Sequence, residues 1–172
     1  MYVDPEWEGE ELMLRIDFVF AVLAAVALTA PDVSAMGSDS SPKVPTAREN
    51  FENGKKAVYA AKYDRAIRLM NKVVAEQPKN ADAHNYIGFA YRKMGKLQQA
   101  AASYQKVFAI NANLKGALEY QGELFLKQNN LAGAQANLAK LTGLCPSGYK
   151  EQVELKRAIA DYKATMAPKR GS

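Results

Sequence analysis

Residues 81–114 read ADAHNYIGFAYRKMGKLQQAAASYQKVFAINANL, and the fold is decided there. Ile87, Phe89, Ala90, Tyr91 and Met94 give an apolar stripe of helical spacing. Lys93-Met94-Gly95-Lys96 then marks a turn, with Gly95 placed to stop the first helix. Ala100, Ala101, Tyr104, Val107 and Phe108 form a second stripe. The stretch is therefore a helix–turn–helix hairpin whose apolar face one hairpin cannot bury alone.

Both flanks repeat the pattern. Gly54, Gly88 and Gly122 stand 34 residues apart, as do Ala66, Ala100 and Ala134. Met70, Tyr104 and Leu138 form a large column, and Val73, Val107 and Leu141 an aliphatic one. Tyr63, Leu97 and Leu131 open the second half of each unit, and Pro78, Ala112 and Pro146 close it. The period defines three units, 47–80, 81–114 and 115–148. The small columns predict that the glycines of each first helix face the alanines of the second, because two helices approach closely only where side chains lack bulk. Tyr149 to Ala164, YKEQVELKRAIADYKA, places Val153, Leu155, Ile159 and Tyr162 among charges. It predicts a seventh, amphipathic helix over 149–164 that covers the third unit, followed by a flexible tail, 165–172.

This pattern resembles the tetratricopeptide repeat. The second unit carries the resemblance best, with Ile87-Gly88, Tyr91, Gly95, Ala100 and Tyr104 in the signature places. The third follows with Gly122, Phe125, Ala134, Leu138 and Pro146, and the first with Gly54, Ala66 and Pro78. The chain departs from the family at Asn53 and Ala57, where a Leu and a Tyr are usual. It also lacks the early Trp, in whose place stand Asn50, His84 and Leu118. The resemblance covers about 47–148. It implies an all-α, right-handed superhelical solenoid of three tetratricopeptide hairpins plus a C-terminal capping helix. It also implies a concave groove, lined by the first helix of each hairpin, that holds a peptide or a partner's helix.

Carried over position by position, the groove residues include Phe51, Lys55 and Tyr59 in the first unit and Asn85, Tyr86, Phe89 and Arg92 in the second. Tyr120 and Glu123 represent the third. Phe51, Tyr86, Phe89 and Tyr120 are the expected aromatic anchors, with packing between repeats as their alternative role. Lys55 and Arg92 are expected to steer acidic or polar groups, and Glu119 and Glu123 to make the third unit's face locally acidic. Chaperone-binding members of the family grip a carboxylate with Lys, Asn and Arg. Here the matching places hold Phe51, Lys55, Tyr86, Gly116 and Tyr120, so a clamp for chaperone tails is not expected.

The N-terminal side has a different character. Phe18 to Leu28, FVFAVLAAVAL, is an unbroken apolar run of 11 residues. That length suits a secretory signal, which needs about 7–15 apolar residues, and falls short of the ~20 of a spanning helix. Pro31 and then Val33-Ser34-Ala35 follow, so 1–35 reads as a signal peptide cleaved after Ala35. Its acidic first dozen residues fit a signal poorly, and Met13 is the expected natural start. Residues 36–46, rich in Ser and Pro, read as a flexible linker. The protein is expected in the periplasm, with a membrane anchor formed by an uncleaved signal as the alternative.

Charge and chemistry narrow the function. The 172 residues carry 23 Lys and Arg against 18 Asp and Glu, but 1–35 holds seven of the acids and only Arg15 of the bases. The remainder is strongly basic, which leaves open a weak attraction to anionic surfaces. Nucleic acid is not an expected partner, since export separates the two. One His and one Cys cannot build a multi-histidine metal site or an internal disulfide. His84 falls in a packing column, and Cys145 sits in the turn before the capping helix. Glu119 and Glu123 share a helical face and read as solvated charges rather than an acid–base pair. No cofactor or enzymatic activity is expected. The reading is a protein–protein interaction module of the cell envelope. The alternatives are a charge-driven binder of an anionic polymer or membrane surface, and an accessory subunit of an envelope enzyme or secretion complex.

Overall fold

The structure, a computed structural model, describes residues 44–144, 146 and 148–166, all within the unit spanning 41–172. The expected signal peptide, most of the linker, Cys145 and residues 167–172 of the tail lie outside the described residues.

The period of the sequence reappears as a period of helices. The first helices of the hairpins are α1 (Ala47–Tyr59), α3 (Ala81–Lys93) and α5 (Lys115–Lys127). Their partners are α2 (Tyr63–Glu76), α4 (Leu97–Ile110) and α6 (Leu131–Leu144), and α7 (Lys150–Met166) closes the series. No strand occurs among the described residues. The protein is thus an all-α helical repeat. No helix of the described residues is long and apolar enough to cross a membrane.

Local chemistry sets the boundaries. Thr46 caps α1 through a reciprocal box: the Glu49 N–H donates to Thr46 Oγ1 at 3.2 Å, and the Thr46 N–H donates to Glu49 Oε2 at 2.8 Å. At α3 the Ala83 N–H donates to Asn80 Oδ1 at 2.9 Å. The three hairpin turns are built alike. Lys62, Lys96 and Asn130 each donate a backbone N–H to the carbonyl five residues earlier, of Ala57, Tyr91 and Phe125, at 2.8–2.9 Å. The residue before each donor, Ala61, Gly95 or Asn129, has a φ of 53°, 75° or 58°. This is the left-handed helix end that glycine accommodates without strain.

The core is laid down between neighbours. Met70 and Val73 of the first hairpin pack with Ala83 and Ile87 of the second. Ala100, Tyr104 and Val107 of the second pack with Ala117 and Leu124 of the third. Leu118, Leu126, Ala134 and Leu141 of the third pack with Leu155 and Ile159 of α7. Each large side chain so buried contributes roughly 1.5–3 kcal/mol. The capping helix thus supplies what a fourth hairpin would.

Three expectations need correcting. The alanines at 66, 100 and 134 are fully buried, but they do not fill the glycine notches. A Cβ at Gly54 would lie 2.9 Å from Met70 Cε, and one at Gly88 2.7 Å from Tyr104 Cε1. The large column, one helical turn further on, occupies the notch, since only a long side chain spans the gap. At Gly122 the filler is Leu155 of α7, 2.5 Å from such a Cβ, and not Leu138. Val153 is 62% exposed, so the buried seam of α7 runs through Leu155 and Ile159. Finally, α7 continues to Met166, which takes Thr165 and Met166 out of the expected tail.

Candidate functional site

The first helices α1, α3 and α5 lie side by side, and their shared face leads into a cleft of about 380 Å³. Tyr59 from the end of α1, Asp82, Asn85 and Tyr86 from α3, Leu114 at the N-cap of α5, and Lys115, Gly116, Glu119 and Tyr120 from α5 line it. Lys150 and Glu151, from the first turn of α7, close its far side. Of the nine residues expected in the groove, the structure brings Tyr59, Asn85, Tyr86 and Tyr120 together there.

The others sit differently. Phe51 meets Tyr86 edge-on, ring centroids 5.7 Å apart, and packs on the Met70, Val73 and Ile87 cluster. Phe89 packs on Ala57, Val58 and Ala66 and lies 4.8 Å from the Tyr120 ring. Both serve packing between repeats, leaving Tyr86 and Tyr120 of the four expected anchors to line the cleft. Lys55 is half-buried and does not line it.

Arg92 is the clearest departure. It is 1% exposed, and its guanidinium pairs with the Glu123 carboxylate of the next hairpin. Its Cζ lies 5.2 Å from the Phe89 ring centroid and 5.6 Å from that of Tyr120. It is turned away from solvent and ties α3 to α5. The Tyr104 phenol shares this buried region. Burial pushes it well above its ordinary value despite the opposing pull of the Arg92 charge. The column containing Arg92 carries the missed signal: its equivalents, Val58 and Leu126, are apolar and buried.

Glu119 is not solvated either. It is 8% exposed. Burial, reinforced by the negative charges of Glu123 and Glu151 and partly offset by Arg92, pushes its carboxyl up to about 7. Glu123 is spoken for by Arg92, so the two acids have unlike surroundings. Beside Glu119 lies Asn85, 6% exposed, whose Oδ1 has no hydrogen-bond partner. A Cβ at Gly116 would stand 3.4 Å from Asn85 Nδ2, so the bare glycine leaves the amide uncovered on that side. Burial and the neighbouring Tyr59 hydroxyl push the Tyr86 phenol well above its ordinary value. Burial and the charge of Glu119 push Tyr120 up to about 12. Both phenols therefore stay protonated at neutral pH.

His84 lies away from this cleft, its Nε2 3.0 Å from the Pro78 carbonyl oxygen, where it closes the loop between hairpins. Among the described residues, no group of three His, Cys, Asp or Glu side chains is placed to hold a metal ion. Leu114, Lys115, Lys150 and Glu151 are the lining residues that the sequence reading missed. The last two come from the capping helix, which no repeat register covers.

Residues 57–118 match the family described as tetratricopeptide repeat. No curated protein matches the chain. Among solved structures, the first TPR of Spaghetti (RPAP3) bound to HSP90 peptide SRMEEVD is similar. It has 24% identity and a TM-score of 0.60, over 69% of this chain and 95% of that one. The first TPR domain of the human RPAP3 protein shares 21% identity with a TM-score of 0.58, over 69% and 96%. The TPR2B domain of yeast Sti1, in a complex with pHsp70, shares 16% with a TM-score of 0.62, over 69% and 97%. The likeness to these structures shows the fold, an all-α helical repeat, and the family match covers residues 57–118 of it.

Proposed function

We propose that this chain is a non-enzymatic interaction module whose cleft takes a segment of a partner protein. One observation carries the reading. Tyrosines from three successive first helices, Tyr59, Tyr86 and Tyr120, converge in one cleft over two buried polar side chains, Asn85 and Glu119. Tyrosine supplies large contact area at low conformational cost, and buried polar groups supply direction. The peptide bound to the similar first TPR of Spaghetti supports reading the cleft as a peptide site. Its peptide SRMEEVD is acidic, whereas this cleft floor offers acceptors. The partner here is of another class.

The apolar run 18–28 and the small residues at 33–35 support export, and we place the module in the periplasm on that ground. Intact mass of the native protein tests this. A chain beginning at Met36 in the soluble exported fraction is the expected result, and an uncleaved cytosolic chain overturns it.

The groove reading is tested by selecting random dodecapeptides displayed on phage against the full chain and counter-screening with Tyr86→Ala/Tyr120→Ala. Peptides held by the native chain and lost by the variant, with helicity unchanged in circular dichroism, are expected. Peptides that bind both proteins equally, or no selected peptides at all, overturn it.

A further inference from the structure

The cleft floor contains polar groups in a place where packing favours apolar ones. Phe51, Asn85 and Glu119 occupy one column of the repeat, 34 residues apart. In the first hairpin the column is a half-buried Phe that completes a hydrophobic cluster. In the next two it holds an amide and a carboxylate, both more than nine-tenths buried. Asn85 Oδ1 has no partner, and among the described residues no hydrogen bond reaches the Glu119 carboxylate. A buried polar atom without a partner costs about 1–3 kcal/mol, so an apolar residue in place of Asn85 would make a more stable solenoid. Glu119 is the acceptor that the cleft leaves open to a donor from outside.

The neighbouring charges specify which donor. Asp82 from α3 and Glu151 from α7 also line the cleft, and Glu154 of α7 adds to the negative field at Glu119. Of the two lining cations, the Lys115 ammonium lies 3.4 Å from the Tyr149 ring centroid, engaged at the junction with the cap. Lys150 is exposed at the rim. Arg92, the other cation near Glu119, is committed to Glu123. The floor is thus an unneutralised acceptor site walled by Tyr86 and Tyr120, whose rings suit the stem of a long cationic side chain.

Resting on the groove reading above, we propose that the cleft recognises a lysine or arginine side chain of an extended partner segment, its charge bound by Glu119 beside the Asn85 amide. The occupant is a basic peptide, the opposite of an acidic chaperone tail. Binding draws Glu119 fully into its charged form. The groups that face it are Asp82, Tyr86 and Arg92 from α3, Lys115, Tyr120 and Glu123 from its own helix, Lys150, Glu151 and Glu154 from α7, and Tyr59 from α1. With its carboxyl near 7 in the free protein, affinity rises from pH 6 to pH 8 and weakens below.

The test is an NMR titration of the labelled full chain with N-acetyl-arginine methylamide and the lysine, norleucine and glutamate counterparts. The two cationic probes are expected to shift the Asn85 side-chain amide and the Glu119 backbone amide, and the other two to leave them unmoved. Glu119→Gln, which keeps shape and packing, is expected to weaken the cationic probes about tenfold or more, and Asn85→Asp to tighten them. Equal binding of norleucine or glutamate, absent shifts with the cations, or an unchanged response in Glu119→Gln overturns the inference. If phage peptides still depend on Tyr86 and Tyr120 but carry no excess of Lys or Arg, the cationic inference fails while the groove reading survives. Loss of all cleft-dependent peptides removes both.

Discussion

At the residue scale, two buried environments make opposite demands. Glu119 folds into a place that favours its neutral form, with the carboxyl raised from an ordinary 4.5 to about 7. The folded chain therefore holds a proton more tightly than the unfolded one, and stability falls as pH rises from about 4.5 through 7. Glu119→Gln is expected to melt like the native protein near pH 4 and at a higher temperature at pH 8. Calorimetry at the two pH values checks this, and an equal gain at both would contradict it. The three left-handed turn positions give a second pair of outcomes. Gly95 meets no atom within 4 Å of where a Cβ would stand, so Gly95→Ala should lose about 1 kcal/mol through backbone strain alone. Ala61 has the same backbone with a Cβ present, and Ala61→Gly should gain about 0.5–1 kcal/mol. Urea unfolding of both variants decides. Gly95 was legible as a helix stop because glycine advertises the conformation. Ala61 was not, because an alanine there carries no compositional mark.

Between elements, the repeat register is a good guide to columns and a poor one to partners. It foretold that the helices would recur every 34 residues and that 54, 88 and 122 would be places without bulk. It did not say what fills the notch, because a column names a face of one helix and not the neighbour that reaches it. The third notch shows why most plainly: Leu155 belongs to α7, outside the period. Arg92 went astray for a related reason. Its column was assigned to the groove, yet a long side chain there can turn inward to an acid 31 residues further on. Leu155→Ala should cost about 2–5 kcal/mol, being fully buried in the last cluster. Gly122→Ala should also destabilise, since its new Cβ collides with Leu155, but far less when Leu155 is already Ala. A double-mutant cycle in urea measures this coupling, and strict additivity would refute the notch-and-filler relation.

For the whole molecule, each hairpin's apolar cluster is shared only with its neighbours, so stability is expected to be local along the chain. Met70→Ala, which empties the notch at Gly54, should speed amide exchange in α1 to α3 while α5 to α7 stay protected. Uniform loss of protection would show an all-or-none fold instead. The helical-repeat architecture was fully legible, because a 34-residue period admits few folds. The cleft was legible in part: Tyr59, Asn85, Tyr86 and Tyr120 were reached by register. The contribution of the cap was not, because Lys150 and Glu151 enter through tertiary contact alone. That contribution has a thermodynamic corollary. The first turn of α7 walls the cleft, and one and two turns later the same helix seals the hydrophobic end of the stack with Leu155 and Ile159. Plug and wall are one rigid rod, so the two sites are reciprocally linked: whatever free energy the docked cap adds to the affinity of a guest, the guest returns by holding the cap in place. Occupancy of the groove is then also protection of the capping helix, and a protease that clips α7 in the empty protein should find it shielded in the filled one.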